Sequence, residues 1–102
     1  MLYVSTRGQS APATFDEVLL AGLAPDGGLY IPETWPSFTP EEIRALVGKP
    51  YAYVAAEVLS RFTGDVFSRA KLEEMTADAY ATFAHPAVTP LRQLGSRIAA
   101  LA

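Results

Sequence analysis

The sequence contains no cysteine, which removes disulfides, thiolate metal sites and thiol nucleophiles from consideration. It has a single histidine, His85, so one chain cannot assemble a multi-histidine metal centre, and no metal site is expected. Lysine is scarce as well: Lys49 and Lys71 are the only two. No apolar run approaches the roughly 20 residues that span a bilayer, and the N-terminus lacks the basic-then-apolar pattern of a secretory leader. A cytoplasmic protein with no membrane partner is expected. Nor is there an excess of positive charge. The net charge is -3 with both signs interspersed, which offers no electrostatic footprint for nucleic acid.

What remains is a 102-residue chain, 50% hydrophobic and 19% charged, the profile of one soluble globular domain. Leu2 to Thr6 alternates and carries strand formers, so it reads as a short strand, followed by a loop broken by Gly8 and Pro12. Thr14 and Glu17 have capping-box spacing, and Phe15, Val18, Leu19 and Leu23 recur at helical intervals as a buried stripe that Pro25 ends. Thr39, Pro40 and Glu42 open a second helix whose inner residues are Ile43, Leu46 and Val47, closed by Gly48. Pro50 opens a third, with Tyr51, Val54, Ala55, Val58, Leu59 and Phe62 on one face and Gly64 at its end. Ser68 caps a fourth with Leu72, Met75, Ala79 and Phe83 inward, stopped by His85-Pro86. Val88 to Leu91 forms a last strand, confined by Pro90 to an edge or bulge. The expected fold class is α+β: about four helices on a small sheet of two or three short strands.

The stretch APDGGLYIPETWP, Ala24 to Pro36, raises the question of a phosphate loop. Its two glycines follow a helix and precede a strand, and no helix N-terminus comes after them to offer amides to an anion. On spacing they form a turn with positive φ, although close backbone approach to a ligand also requires glycine. Other polar residues do not assemble into a reactive set. Ser5, Thr6 and Ser10 have no nearby histidine to activate them. His85 reads as a helix-end histidine favoured by the dipole. Asp16-Glu17 serve the cap, and Glu73-Glu74 lie on a solvated helical face, since adjacent helical residues point in different directions.

Taken in order, STRG at Ser5 to Gly8, FDEVLLAGLAPDGGLYIPE from Phe15 to Glu33, the Pro50-Tyr51 helix, Phe62-Thr63-Gly64-Asp65, and AYATFAHPAVTPL from Ala79 to Leu91 resemble the N-terminus of threonine synthase. The resemblance covers about nine tenths of the chain, and the double-glycine segment is its most specific piece. It implies a pyridoxal-phosphate enzyme that converts O-phosphohomoserine and water to threonine and phosphate, with the cofactor as electron sink. The family's Schiff-base lysine lies between a phenylalanine and an aspartate, and neither Lys49 nor Lys71 matches it; the family's glycine-rich cofactor loop is also missing. The resemblance therefore implies an N-terminal domain spanning 1–102, with a tail from about residue 92 leading toward the remaining catalytic lobes. It implies no catalytic residue and no bound cofactor in this chain alone.

Two expectations follow for the site. Thr6, Arg7, Asp26, Gly27, Gly28 and Tyr30 border the substrate cleft of the parent enzyme, where an arginine suits a phosphate oxygen pair; or the same residues hold the sheet and a domain interface together. A function of another class also stands: a stand-alone protein-interaction module that kept this domain and lost the catalytic lobes.

Overall fold

Alternation along Leu2–Ser5, strand β1, places Tyr3 and Ser5 on the buried side while Leu2 is exposed. The computed structural model of the chain describes residues 1–100. In it, β1 is the centre of a three-stranded antiparallel sheet, between β2 (Ala13–Thr14) and β3 (Tyr30–Pro32). Tyr3 registers with Ala13 on one side and Pro32 on the other, and Ser5 registers with Tyr30. Both outer strands are short, so the sheet has little edge to offer other chains.

Helix α1 (Phe15–Ala21) starts at Thr14, whose N–H donates to the Glu17 carboxylate at 2.9 Å, while the Thr14 hydroxyl donates to Asp16 at 2.5 Å. It ends at Gly22, with φ 75°, three residues before the expected stop at Pro25. Its expected buried stripe is not buried: Leu19 and Leu23 are both more than half exposed, and no α1 residue is buried among the described residues. Helix α2 (Pro40–Arg44) has the capping box its sequence announces, with the Glu42 N–H donating to Thr39 Oγ1 at 3.1 Å and the Thr39 N–H to Glu42 at 3.3 Å. It is shorter than expected and continues only as turns to Gly48. Ile43 and Val47 face solvent rather than the core.

Helices α3 (Tyr51–Thr63) and α4 (Arg69–Tyr80), joined by residues 64–68, form the other half of the molecule. They meet along Ala56, Thr63, Leu72 and Thr76, all buried. These are mostly small residues, which let two helix axes come close. The face of α3 expected to be inward, including Val58 and Leu59, instead lines an open apolar groove. On α4, Leu72 is buried as expected, but Ala79 and Phe83 are exposed, and the helix ends at Tyr80, well before His85. The sheet and helices are joined through Tyr3, whose hydroxyl donates to the Phe62 carbonyl at 2.5 Å and whose ring lies 6.1 Å from that of Phe15. Phe15 in turn meets Phe67 edge-on at 6.3 Å.

An ionic ladder ties the helices together. Arg61 pairs with Glu42 and with Glu57 at 3.3 Å, and Arg69 pairs with Glu57 and with Glu73 at 3.0 Å. The same two guanidinium groups lie over aromatic faces, Arg61 on Phe38 at 4.2 Å and Arg69 on Tyr53 at 4.9 Å.

The tail departs from expectation. The strand expected at 88–91 lies farther on: β4 (Leu91–Leu94) pairs with β5 (Arg97–Ala100) as a separate antiparallel hairpin. Gly95 and Ser96 form its two-residue loop, with Gly95 at φ 64°, the shortest connection an antiparallel pair allows. The α+β class holds, with four helices, a three-stranded sheet and this hairpin among the described residues.

Candidate functional site

Ser5 and the turn at Ala24 to Gly28 meet because β3 returns antiparallel beside β1, so the turn before β3 stands at the end of β1 where Thr6 and Arg7 leave it. The strand pairing extends one step through Thr6 N–H to the Leu29 carbonyl at 2.8 Å, and the Leu29 N–H donates to Thr6 Oγ1 at 3.0 Å. Asp26 is the centre of what forms there. Its carboxylate accepts from the Ser5 hydroxyl at 2.7 Å, the Gly28 N–H at 2.8 Å and the Gln9 N–H at 2.9 Å. Its own N–H donates to Ser10 Oγ at 3.2 Å. The Ser5 hydroxyl, chiefly, holds the Asp26 pKa down to about 2, with the Gly28 and Gln9 amides and Ser10 adding to it and partial burial opposing. Donors aimed at an ionised carboxylate favour the charged form.

The two glycines serve this knot. Gly27 has φ 83°, and a Cβ on it would stand 2.8 Å from Arg7 Nη1. A Cβ on Gly28 would stand 2.3 Å from Ser5 Oγ, 3.0 Å from Asp26 Oδ1 and 3.1 Å from the Arg7 backbone nitrogen. The turn reading of the double glycine therefore holds, and the close approach that excludes a side chain is made by the chain's own atoms.

Arg7 lies across the turn. Its N–H donates to Ser5 Oγ at 3.1 Å and its Nη1 to the Asp26 carbonyl at 2.9 Å. No carboxylate pairs with its guanidinium among the described residues, so the remaining donors face solvent. Of the six expected residues, Thr6, Arg7, Asp26, Gly27 and Gly28 come together. Tyr30 adjoins them through the backbone register with Ser5, and its phenol has no hydrogen-bond partner among the described residues. Ser5, Gln9 and Ser10 complete the cluster: from sequence Ser5 and Ser10 were weighed only as nucleophiles without a base, and Gln9 was not singled out. The alternation of β1, which buries Ser5 beside Tyr3, was the signal that marked Ser5. Gln9 and Ser10 gave none, because a loop's contacts depend on where its partner lands.

A family model described as "Threonine synthase N terminus" matches residues 2–80. The chain belongs to that family. It is 50% identical over 94 residues to a threonine synthase of Pseudomonas aeruginosa, a match covering 92% of this chain and 20% of that protein. A threonine synthase of Schizosaccharomyces pombe is 40% identical over 93 residues, covering 90% of this chain and 18% of that protein. A protein named threonine synthase-like 2 from Mus musculus is 35% identical over 95 residues, covering 92% and 20%. Among solved structures, a PLP-bound threonine synthase from Brucella melitensis superposes with a TM-score of 0.89 at 50% identity, covering 98% of this chain and 22% of that one. The threonine synthase of Escherichia coli superposes at 0.76 with 27% identity, covering 94% and 21%. The chain spans about one fifth of the length of the curated relatives it matches.

In a threonine synthase an imine anchor must be a lysine, and this chain offers two. The Lys71 ammonium pairs with Glu74 at 3.3 Å on an exposed face of α4, and the Lys49 ammonium lies 5.2 Å from the centre of the exposed Tyr53 ring. Both are exposed, outside any enclosed pocket in which desolvation would favour the neutral amine an imine needs. The residues present do not fit a covalently held aldehyde cofactor. Tyr51 is half-buried and meets Tyr80 edge-on at 4.9 Å, and the exposed Tyr53 ring is the platform for Lys49 and Arg69. The expectation for His85 is corrected. It lies beyond α4, too far from the helix end to answer its dipole, and its Nδ1 accepts the Ala87 N–H at 3.0 Å.

A concavity lies elsewhere, between α1, α3 and α4. It is an apolar groove of about 290 Å³ whose walls include Phe15, Leu19, Leu59, Phe67, Met75 and Tyr80. With almost no polar lining it offers no chemistry of its own; it is an exposed apolar surface.

Proposed function

We propose that this chain is the amino-terminal domain of a pyridoxal-phosphate-dependent threonine synthase, whose complete enzyme converts O-phosphohomoserine and water to threonine and phosphate. The observation that carries the reading is 50% identity to a threonine synthase across 92% of the chain. The TM-score of 0.89 to the PLP-bound Brucella melitensis enzyme supports it. When bound, the cofactor supplies the electron sink for chemistry at the substrate carbons. No residue of this chain is assigned a step in that chemistry, and in this reading the chain alone is inactive.

The partners in this reading are the remaining lobes of the parent enzyme. Surface area supports them. The chain exposes 7293 Å², whereas a self-contained protein of its mass exposes about 5,600 Å². The excess, roughly 1,700 Å², is of the order that a stable protein interface removes from water. The Cα radius of gyration, 16.5 Å, likewise exceeds the roughly 13 Å of an independent domain of this length.

Within the cleft reading, the polar atoms free to reach a phosphorylated substrate are the outer guanidinium donors of Arg7, the Thr6 hydroxyl hydrogen and the Tyr30 phenol. Asp26, Gly27 and Gly28 act behind them, as the support on which Arg7 rests. The structural reading is favoured for Asp26 by its saturated carboxylate. In the complete enzyme, Arg7→Ala is expected to lower kcat/KM for O-phosphohomoserine about 10- to 100-fold, mainly through KM, as loss of a charge-assisted phosphate contact does. Unchanged kinetics remove Arg7 from the site. The 102-residue chain, incubated with pyridoxal phosphate and reduced with borohydride, is expected to yield no stoichiometric lysine adduct; phosphate release by this chain alone overturns the reading.

A further inference from the structure

Arg7 is held at both ends. Its main chain lies in the turn that leaves β1, where the Gly8 N–H donates to the Ser5 carbonyl at 3.0 Å and the Arg7 N–H donates to Ser5 Oγ at 3.1 Å. A serine hydroxyl that accepts from the amide two residues on braces a tight turn through its side chain. At the other end, Arg7 Nη1 donates to the Asp26 carbonyl at 2.9 Å. One atom ties the two ends to each other. Ser5 Oγ, which receives the Arg7 amide, also donates to the Asp26 carboxylate, whose oxygens stand at 2.7 and 2.8 Å. Ser5, Arg7 and Asp26 thus close a ring in which Ser5 joins the base of Arg7 to the residue that holds its head.

An arginine that only braces a fold is best satisfied by a carboxylate, the charge-assisted acceptor. Here the Asp26 carboxylate is taken by uncharged donors, the Ser5 hydroxyl and the Gly28 and Gln9 amides, and Arg7 receives the main-chain carbonyl instead. Its Nε and Nη2 donors make no hydrogen bond among the described residues, and the side chain is exposed. Adjacent guanidinium donors of this kind form the fork that matches two oxygens of a phosphate. Ser5 is only 6% exposed, so it acts through Arg7 and not on a ligand. A long side chain ordered before binding loses less freedom when the ligand arrives.

We propose that Ser5 is a positioning residue, whose hydroxyl ties the Arg7 main chain to Asp26 and so fixes the Arg7 guanidinium, before substrate arrives, in the orientation that receives the substrate's phosphate group. The proposal rests on the cleft reading of Arg7 and adds to it the residue that sets the arginine in place. Gly28 belongs to the same device, because Ser5 Oγ occupies the space that a Cβ there would need.

The test is a double-mutant cycle in the complete enzyme. Ser5→Ala is expected to raise KM for O-phosphohomoserine about 2- to 10-fold with kcat nearly unchanged, and to have no further effect when Arg7 is already alanine. A role confined to folding would act by the same factor in both backgrounds, and that result overturns the positioning. Asp26→Asn keeps the carbonyl under Arg7 but weakens the acceptor for Ser5, so it should show the same coupling and replaces Ser5→Ala if that enzyme does not fold. Arg7→Ala with the kinetics of the parent would instead remove the cleft reading itself. A readout free of activity separates the two failures: in nitrogen-15 spectra of the 102-residue chain, exchange among the Arg7 Nη–H signals should quicken about tenfold in Ser5→Ala. Equal exchange in Ser5→Ala and the parent shows that the guanidinium is not held through Ser5 and overturns the proposal.

Discussion

Alanine at position 28 puts a methyl carbon where the structure has no room. It would lie 2.3 Å from Ser5 Oγ, 3.0 Å from Asp26 Oδ1 and 3.1 Å from the Arg7 backbone nitrogen. The Ser5 hydroxyl donates a hydrogen bond to that Asp26 oxygen and the third atom is main chain, so none withdraws without breaking part of the knot. Overpacking of this kind costs about 3 kcal/mol, the upper end for an added methyl group. For a domain of this size that lowers Tm by roughly 15 °C. Gly27→Ala should be milder. Its positive φ costs about 1–2 kcal/mol, but the atom it meets is the far end of the Arg7 side chain, which can swing aside. Thermal melts of the 102-residue chain followed by circular dichroism read both. The ranking discriminates between the two uses of a glycine: if Gly28 were present only to admit a ligand, the chain alone would melt at its usual temperature. A Gly28→Ala melt within about 2 °C of the parent, or a larger loss for Gly27→Ala, refutes the packing argument. Ser5→Ala removes the nearest of the three atoms, so combining it with Gly28→Ala should cost less than the two singles added together.

Thr63 is 3% exposed and its hydroxyl has no partner among the described residues; Thr63→Val keeps the shape, removes the unsatisfied group and should stabilise the chain by about 1 kcal/mol, seen as a Tm rise of several degrees. A lower Tm would show that the hydroxyl is satisfied. The pKa of Asp26 is lowered on folding, so its contribution to stability is fully present above the unfolded carboxylate value of about 3.9 and is lost as pH falls through about 2. The Gln9 and Gly28 amide shifts should titrate with that low midpoint, and a midpoint near 4 would detach them from the carboxylate. Glu57 bridges Arg61 and Arg69, and both bonds hold its carboxyl below the usual range, Arg69 foremost. Glu57→Gln should cost about 1 kcal/mol at low salt and less in about 0.5 M salt; a cost independent of salt would assign the effect to packing.

Local chemistry was enough for several elements. The capping boxes at Thr14 and Thr39, the Ser68 cap and the β1 alternation each involve atoms within a few residues of one another, so these features follow whatever the rest of the chain does. The family was legible for a related reason: the double-glycine segment stands in this sequence as one unbroken stretch whose turn geometry is set by its own residues. The Gly95-Ser96 hairpin was equally local, but the strand before it was expected at 88–91, three residues ahead of β4.

Tertiary structure decided which apolar residues are inside. Helical periodicity marks an apolar stripe but not what covers it, so Leu19, Ile43, Val47 and Phe83 were expected inward and stand exposed, while the α3–α4 seam runs through Ala56 and Thr76. It also decided the Asp26 knot. Ser5 and Asp26 are 21 residues apart, and only the return of β3 beside β1 brings the hydroxyl, the carboxylate and the Gln9 and Gly28 amides within hydrogen-bond reach of one another. A residue's neighbours along the chain set its backbone preference, but the partners of its polar atoms are set by where distant segments come to rest.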